Sequence, residues 1–206
     1  MLTLIKREVE DHTIHLLVAA VLSATLVVGL VALVRMEFTI EAVLYTMVLL
    51  IVAFIGCASL GAAQMYTDRV GRISAFLATL DVARMQILTA RFVVGLLTIL
   101  ISLVPAAITA AIVLFRSVQP FCFYSHVVLE VSVTVFLIAL ACYCIGLQAG
   151  WAQSKVLTLL ASVVFPPFIM TLVLIKGFGM QAMVVLAVLI AACVLRIGAK
   201  FLSTPL

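Results

Sequence analysis

The sequence predicts an all-α integral membrane protein: six transmembrane helices, an N-terminal amphipathic helix and a short cytoplasmic helix between the second and third spans. Three observations lead there. The chain of 206 residues is 67% hydrophobic and only 10% charged, whereas soluble domains average about 45–50% apolar and about 25% charged. A soluble fold leaves a large surface for polar groups to cover, so the missing polar residues point to lipid as the surrounding solvent. The apolar residues come in long unbroken runs, not in the alternation of a transmembrane strand, and in lipid only helices and closed barrels satisfy their own backbone. Finally, Lys and Arg gather at alternate ends of the runs, as they do around membrane spans.

Spanning about 30 Å of hydrocarbon takes roughly 20 helical residues, and six segments answer: 14–34, 42–64, 87–115, 127–149, 156–175 and 178–196. The first is preceded by mixed charges and has no A-x-A cleavage pattern, so it reads as a retained helix and not a signal peptide. Ahead of it, Leu2, Ile5 and Val9 form one stripe with Lys6 and Glu10 mostly opposite, the pattern of an interfacial amphipathic helix over 1–13. The third is long enough to tilt, or to kink at Pro105. The sixth is short and ends at Arg196.

With the N-terminus inside, the cytoplasmic segments carry nine basic residues: Lys6, Arg7, Arg69, Arg72, Arg84, Arg91, Lys155, Arg196 and Lys200. The outer loops carry three: Arg35, Arg116 and Lys176. Both termini are therefore expected in the cytoplasm. Arg91 is expected near the inner end of the third helix, its stem snorkelling to the interface.

The net charge of +4 is a topology signal and gives no reason to expect nucleic acid, since no basic patch interleaved with aromatics occurs. Of the five cysteines only Cys122 falls in an expected loop, so neither a disulfide framework nor a zinc site is implied. Cys142 and Cys144 should face different sides of one helix. His126 and Glu130, four apart near the outer end of the fourth span, read as an interfacial pair, because two residues make no coordination shell. His12 and His15 pair with Glu8 and Asp11 in solvent. No carboxylate is expected at mid-membrane, no nucleophile–base constellation is visible, and no cofactor or metal is expected.

Polar and helix-breaking residues inside the spans are few. Gly146-Leu-Gln-Ala-Gly150 is a small-xxx-small motif for close helix approach, read as packing within the bundle. Gln148 inside it needs a partner in lipid and is a candidate for a substrate path. Pro166 and Pro167 remove two backbone donors from the fifth span, marking a kink useful where a bundle opens. Trp151 is an interfacial anchor.

The most informative segment is 65–85. Ile73, Phe76, Leu77 and Leu80 recur at helical spacing behind the basic turn of Arg69 and Arg72, and Asp81 is placed to cap the following helix, whose first turn holds Arg84. A short amphipathic helix, a sharp corner and a membrane helix follow one another. Such a helix could float at the interface or fill a partner's groove, and periodicity does not choose.

Here the order Asp68-Arg69-Val70-Gly71-Arg72-Ile73, then Phe76-Leu77-Ala78-Thr79-Leu80, then Asp81-Val82-Ala83-Arg84-Met85-Gln86-Ile87-Leu88-Thr89-Ala90-Arg91 resembles the coupling segment of membrane permeases of the ABC type-2 exporter class. Asp81 stands where that family has Pro, and the acidic lead-in is thinner; both Pro at N1 and Asp at the N-cap start a helix. The opening Met-Leu-Thr-Leu-Ile-Lys-Arg-Glu is similar to the family's elbow helix. The resemblance implies one permease domain over 1–206 in the inner (plasma) membrane. It implies a second permease copy and a cytoplasmic ATP-binding subunit, coupled through Arg69, Arg72, Phe76, Leu77, Leu80, Asp81 and Arg84. It also implies that the chain is no enzyme by itself, which agrees with the lack of a G-x-x-x-x-G-K-[ST] phosphate loop. A weaker likeness, the Pro-rich fifth helix, is to the haem-exporter permeases of cytochrome c maturation; Gly71-Arg72-Ile73-Ser74 departs from their pattern. An autonomous transporter or membrane enzyme is the remaining alternative.

Overall fold

The structure is a computed structural model that describes residues 13–35, 40–71, 84–117, 121–150, 155–177 and 179–203. All six elements among the described residues are helices: α1 Thr13–Arg35, α2 Ile40–Gly71, α3 Arg84–Ser117, α4 Phe121–Gly150, α5 Lys155–Lys176 and α6 Met180–Ser203. Each covers one expected apolar run. Four contain stretches long and apolar enough to cross a membrane: Leu44–Tyr66, Leu88–Val113, His126–Gly150 and Met180–Ala199. The apolar stretches of α1 and α5, Leu16–Ala32 and Leu160–Lys176, are shorter. The chain is a membrane protein. The expected elbow over 1–13 falls almost wholly outside the described residues, as do 72–83 of the expected coupling segment.

Three boundaries need correction: α4 begins at Phe121 and not near 127, so Cys122 is helical and not in a loop; α6 continues past Arg196 to Ser203; and α2 is longer than its apolar run. The second helix does not stop at residue 64 but continues to Gly71, so Met65 to Gly71 belong to α2 and not to a loop. Gln64 and Met65 are buried, so packing carries the helix past the point where hydrophobicity alone would end it.

The bundle is organised around α2 and α4. Their apolar stretches are each 44% buried, against 22% for those of α3 and α6, and the α2–α4 interface is the most extensive in the molecule. Around this pair α1 lies against α3 and α2, α5 against α4 and α2, and α6 chiefly against α4. The main core joins Phe54 and Ala58 of α2, Ile99 of α3, Ile138 and Leu147 of α4, and Met170 of α5. A satellite cluster of Leu26, Ala53 and Ala106 ties α1 to α2 and α3. Away from these contacts aliphatic side chains stand exposed, among them Val184, Val185 and Val188 on α6 and Val164 and Phe168 on α5. That is the outward surface a lipid solvent favours.

Small residues let the central pair close. A Cβ on Gly146 would collide with the Ala58 carbonyl, and one on Gly150 would lie 2.7 Å from both the Ala62 carbonyl and the Met65 Cβ. From the other side, a Cβ on Gly61 would run into the Tyr143 carbonyl and lie 2.9 Å from the Leu147 nitrogen. Residue numbers rise together in these pairs, so α2 and α4 run parallel. The expected packing role of Gly146 and Gly150 is met, and its counterpart is the Ala58, Gly61, Ala62 stripe on α2. Lipid supplies no hydrophobic drive between helices, so this close van der Waals contact carries the association.

Hydroxyl groups on the helices are mostly satisfied by their own backbone, as a water-free surrounding requires. Thr98 donates to the Val94 carbonyl (2.9 Å), Thr134 to the Glu130 carbonyl (2.7 Å) and Ser59 to the Gly56 carbonyl (2.8 Å). At the C-terminus of α5, Gly177 takes a positive φ of 86° and its N–H donates to the Val173 carbonyl at 2.9 Å. Glycine adopts this left-handed conformation without penalty, and Lys176 in the last turn complements the helix dipole.

Candidate functional site

The segment expected to couple the chain to a partner is bracketed by two long helices. α2 extends from its apolar stretch, which ends at Tyr66, to Gly71; α3 begins at Arg84, ahead of a stretch that starts at Leu88. Arg69 and Arg84 therefore lie on helical overhangs at the two borders of residues 72–83. Their side chains, and all of Arg72, Phe76, Leu77, Leu80 and Asp81, lie outside the described residues. What the structure describes is the ground on which the segment stands.

That ground contains a buried polar layer with no counterpart in the expected site residues. Gln64 of α2, Arg91 of α3 and Tyr143 of α4 are 2%, 3% and 0% exposed. The Tyr143 hydroxyl donates to Gln64 Oε1 at 2.7 Å and also faces the Arg91 main-chain carbonyl at 3.1 Å. Phe92 packs against the tyrosine at a tilt of 60°, with ring centroids 6.1 Å apart. Gly95 provides the space for the ring: a Cβ there would overlap its hydroxyl end. Gln64 Nε2 is buried with no hydrogen-bond partner, a condition shared by Ser102 Oγ on α3.

The three polar residues lie at one level. Gln64 is seven residues from the Gly71 end of α2, Arg91 seven from the Arg84 start of α3, and Tyr143 seven from the Gly150 end of α4. At about 1.5 Å per residue, each is roughly 10 Å inside the same end of the bundle. Arg91 lies near the inner end of α3 as expected, but its side chain is buried and does not stand exposed as a snorkelling one would; Gly61 and Gly95 leave room for Tyr143, whose hydroxyl reaches the Arg91 carbonyl. From the sequence, Gln64 and Tyr143 were ordinary residues near helix ends. Their equal distance from the helix ends appears only once α2 runs to Gly71 and α3 from Arg84; the glycines at 61 and 95 were the one signal the sequence carried.

The other expected residues separate. Gln148 is half-buried and its Nε2 donates to the Cys193 carbonyl at 3.3 Å, so it clamps α4 to α6. Pro166 is buried and Pro167 half-buried within a continuous α5. Their missing N–H groups deprive the Ser162 and Val163 carbonyls of their helical donors. One turn on, the Thr171 hydroxyl donates to the Pro167 carbonyl at 2.7 Å. The same device recurs in α3, where Thr109 donates to the Pro105 carbonyl at 2.7 Å. A hydroxyl bonded back in this way tends to bend a helix further.

Cys57, Cys142, Cys144 and Cys193 are free thiols. Cys142 lies near Cys57 of α2 and Cys144 near Cys193 of α6, so the two face different neighbours of α4, as their spacing predicts. His126 is exposed and Glu130 half-buried. Among the described residues no three His, Cys, Asp or Glu side chains converge as a metal site would require.

No protein-family model, curated protein or solved structure matches this chain.

Proposed function

We propose that the chain is the permease subunit of an ATP-binding cassette exporter, driven by a separate cytoplasmic ATPase that docks on residues 65–85. The observation that carries this reading is the residue pattern of 68–91, flanked by helices that run unbroken from the bundle interior to the segment's borders. A push on such a segment is delivered to stiff helix ends and not absorbed by a loop. Six spans with both termini inside, α1 and α5 included, follow from the nine-to-three basic asymmetry and keep 65–85 in the cytoplasm. In the working transporter two permease copies pair with two ATPases. Phe76, Leu77 and Leu80 enter the ATPase groove, while Arg69, Arg72 and Arg84 meet acidic residues at its rim or lipid headgroups, with Asp81 holding the corner.

The test is recovery of the chain from native membranes in mild detergent, with mass spectrometry of what stays bound. A stoichiometric soluble P-loop ATPase, released by Phe76→Asp together with Leu80→Asp, supports the reading. Recovery of the folded chain alone overturns it in favour of an autonomous membrane protein.

A further inference from the structure

The Tyr143 layer poses a problem of hydrogen-bond arithmetic. A phenol has one proton to donate, yet two acceptors lie within reach: Gln64 Oε1 on α2 at 2.7 Å and the Arg91 carbonyl on α3 at 3.1 Å. Meanwhile the Gln64 amide has donors to give, and its Nε2 is buried without a partner. An unsatisfied donor is costly in a low-dielectric interior, so the arrangement is not one in which every group is content. Turning the Gln64 amide over resolves it differently: Nε2 then donates to Tyr143 Oη, and the phenol proton goes wholly to the Arg91 carbonyl. The same three residues thus support two hydrogen-bond patterns, one binding α4 to α2 through the phenol proton and the other binding it to α3.

Space for anything else is absent at the ring, which fills the notch left by Gly95 and is wholly buried. The hydroxyl end of the ring is thereby held between Gln64 of α2 and the Arg91 carbonyl of α3. The carbonyl of Arg91 being an acceptor is itself informative, since a main-chain atom reports the position of α3 and not of a flexible side chain.

We propose that Tyr143 is a latch, whose single hydroxyl proton is contested between Gln64 on α2 and the Arg91 carbonyl on α3, and which holds the two helix ends bordering residues 72–83 against α4. Separation of those ends breaks one of the two bonds, so their spacing is read out at the centre of the bundle. The latch itself stands on the geometry alone; its use in coupling ATP hydrolysis to transport rests on the permease reading.

The experiment is hydrogen–deuterium exchange of the full chain in lipid nanodiscs, comparing Tyr143→Phe, Gln64→Leu and the double variant with the native protein. Phe keeps the ring in its notch and deletes only the hydroxyl. Loss of one buried hydrogen bond should raise exchange about three- to tenfold in the backbone amides of 64–71 and 84–91. The Thr98→Val control, which deletes a hydroxyl bonded within α3, should leave 64–71 unchanged. If the latch is real, the double variant exchanges no faster than the faster single one, because both remove one shared interaction. Exchange like the native protein's in Tyr143→Phe, or effects that multiply in the double variant, overturns the proposal. Should Tyr143→Phe fail to fold, Gln64→Leu tests the same bond from the other side. The latch can pass this test while no ATPase is captured, in which case the permease reading fails and the latch stands.

Discussion

At the scale of the residue, contact distances decide which small positions matter. Gly146 and Gly198 are both helical glycines in this chain, but a methyl on Gly146 meets the Ala58 carbonyl while one on Gly198 has nothing within 4 Å. Gly146→Ala should therefore lower stability by about 1–3 kcal/mol through overpacking. Gly198→Ala should be neutral or stabilise by up to about 1 kcal/mol through helix propensity. Unfolding of the two variants in mixed micelles measures the contrast, and equal stabilities would mean that α2 and α4 are not in the contact described. Gln148 illustrates the limit of reading a lone polar residue. Its need for a partner in lipid was legible; that the partner is the α6 backbone at Cys193 required the fold.

Helices α3 and α5 carry the clearest signs of built-in bending. Pro105 with Thr109, and Pro167 with Thr171, repeat one arrangement in which a proline carbonyl accepts a hydroxyl four residues on. In α5 the adjacent Pro166 removes a second donor, concentrating the weakness at mid-helix. Replacing both Pro166 and Pro167 by Ala should restore two backbone bonds and stiffen α5. On the permease reading, if α5 bends during transport the double variant should transport at least about fivefold more slowly while still binding the proposed ATPase. Unchanged transport would make the bend static. The extension of α2 to Gly71 belongs to this scale too: the apolar run ends near residue 64, but burial of Gln64 and Met65 against α4 continues the helix. Hydropathy could not show that, because the residues are held by neighbours and not by lipid.

For the whole molecule, orientation and coupling are the properties to test. Cysteines introduced at single positions in a cysteine-free chain should react with an impermeant maleimide from outside at 36–39 and 118–120, and only after permeabilisation at 2 and 205. Outside labelling at residue 2 would place 65–85, two spans on, outside as well and remove it from any cytoplasmic ATPase. On the permease reading, Arg72→Glu should reduce ATP-driven transport about tenfold or more without unfolding the bundle, since it reverses a charge at the proposed docking rim. Native transport rates in that variant would take Arg72 out of the coupling set.

Composition and periodicity determined by themselves that the chain is helical and lives in a membrane, and they located all six helices, with misses of six or seven residues at the inner end of α2, the start of α4 and the end of α6. That much is local: a helix in lipid satisfies its own backbone, so its existence depends on the residues within it. Gly146 and Gly150 announced a close approach, but not that Ala58, Gly61 and Ala62 would receive it. The meeting of Gln64, Arg91 and Tyr143 was decided only by tertiary structure. Three helices distant in sequence had to be brought parallel and antiparallel to one another before two glycine notches could admit a phenol beside a buried arginine.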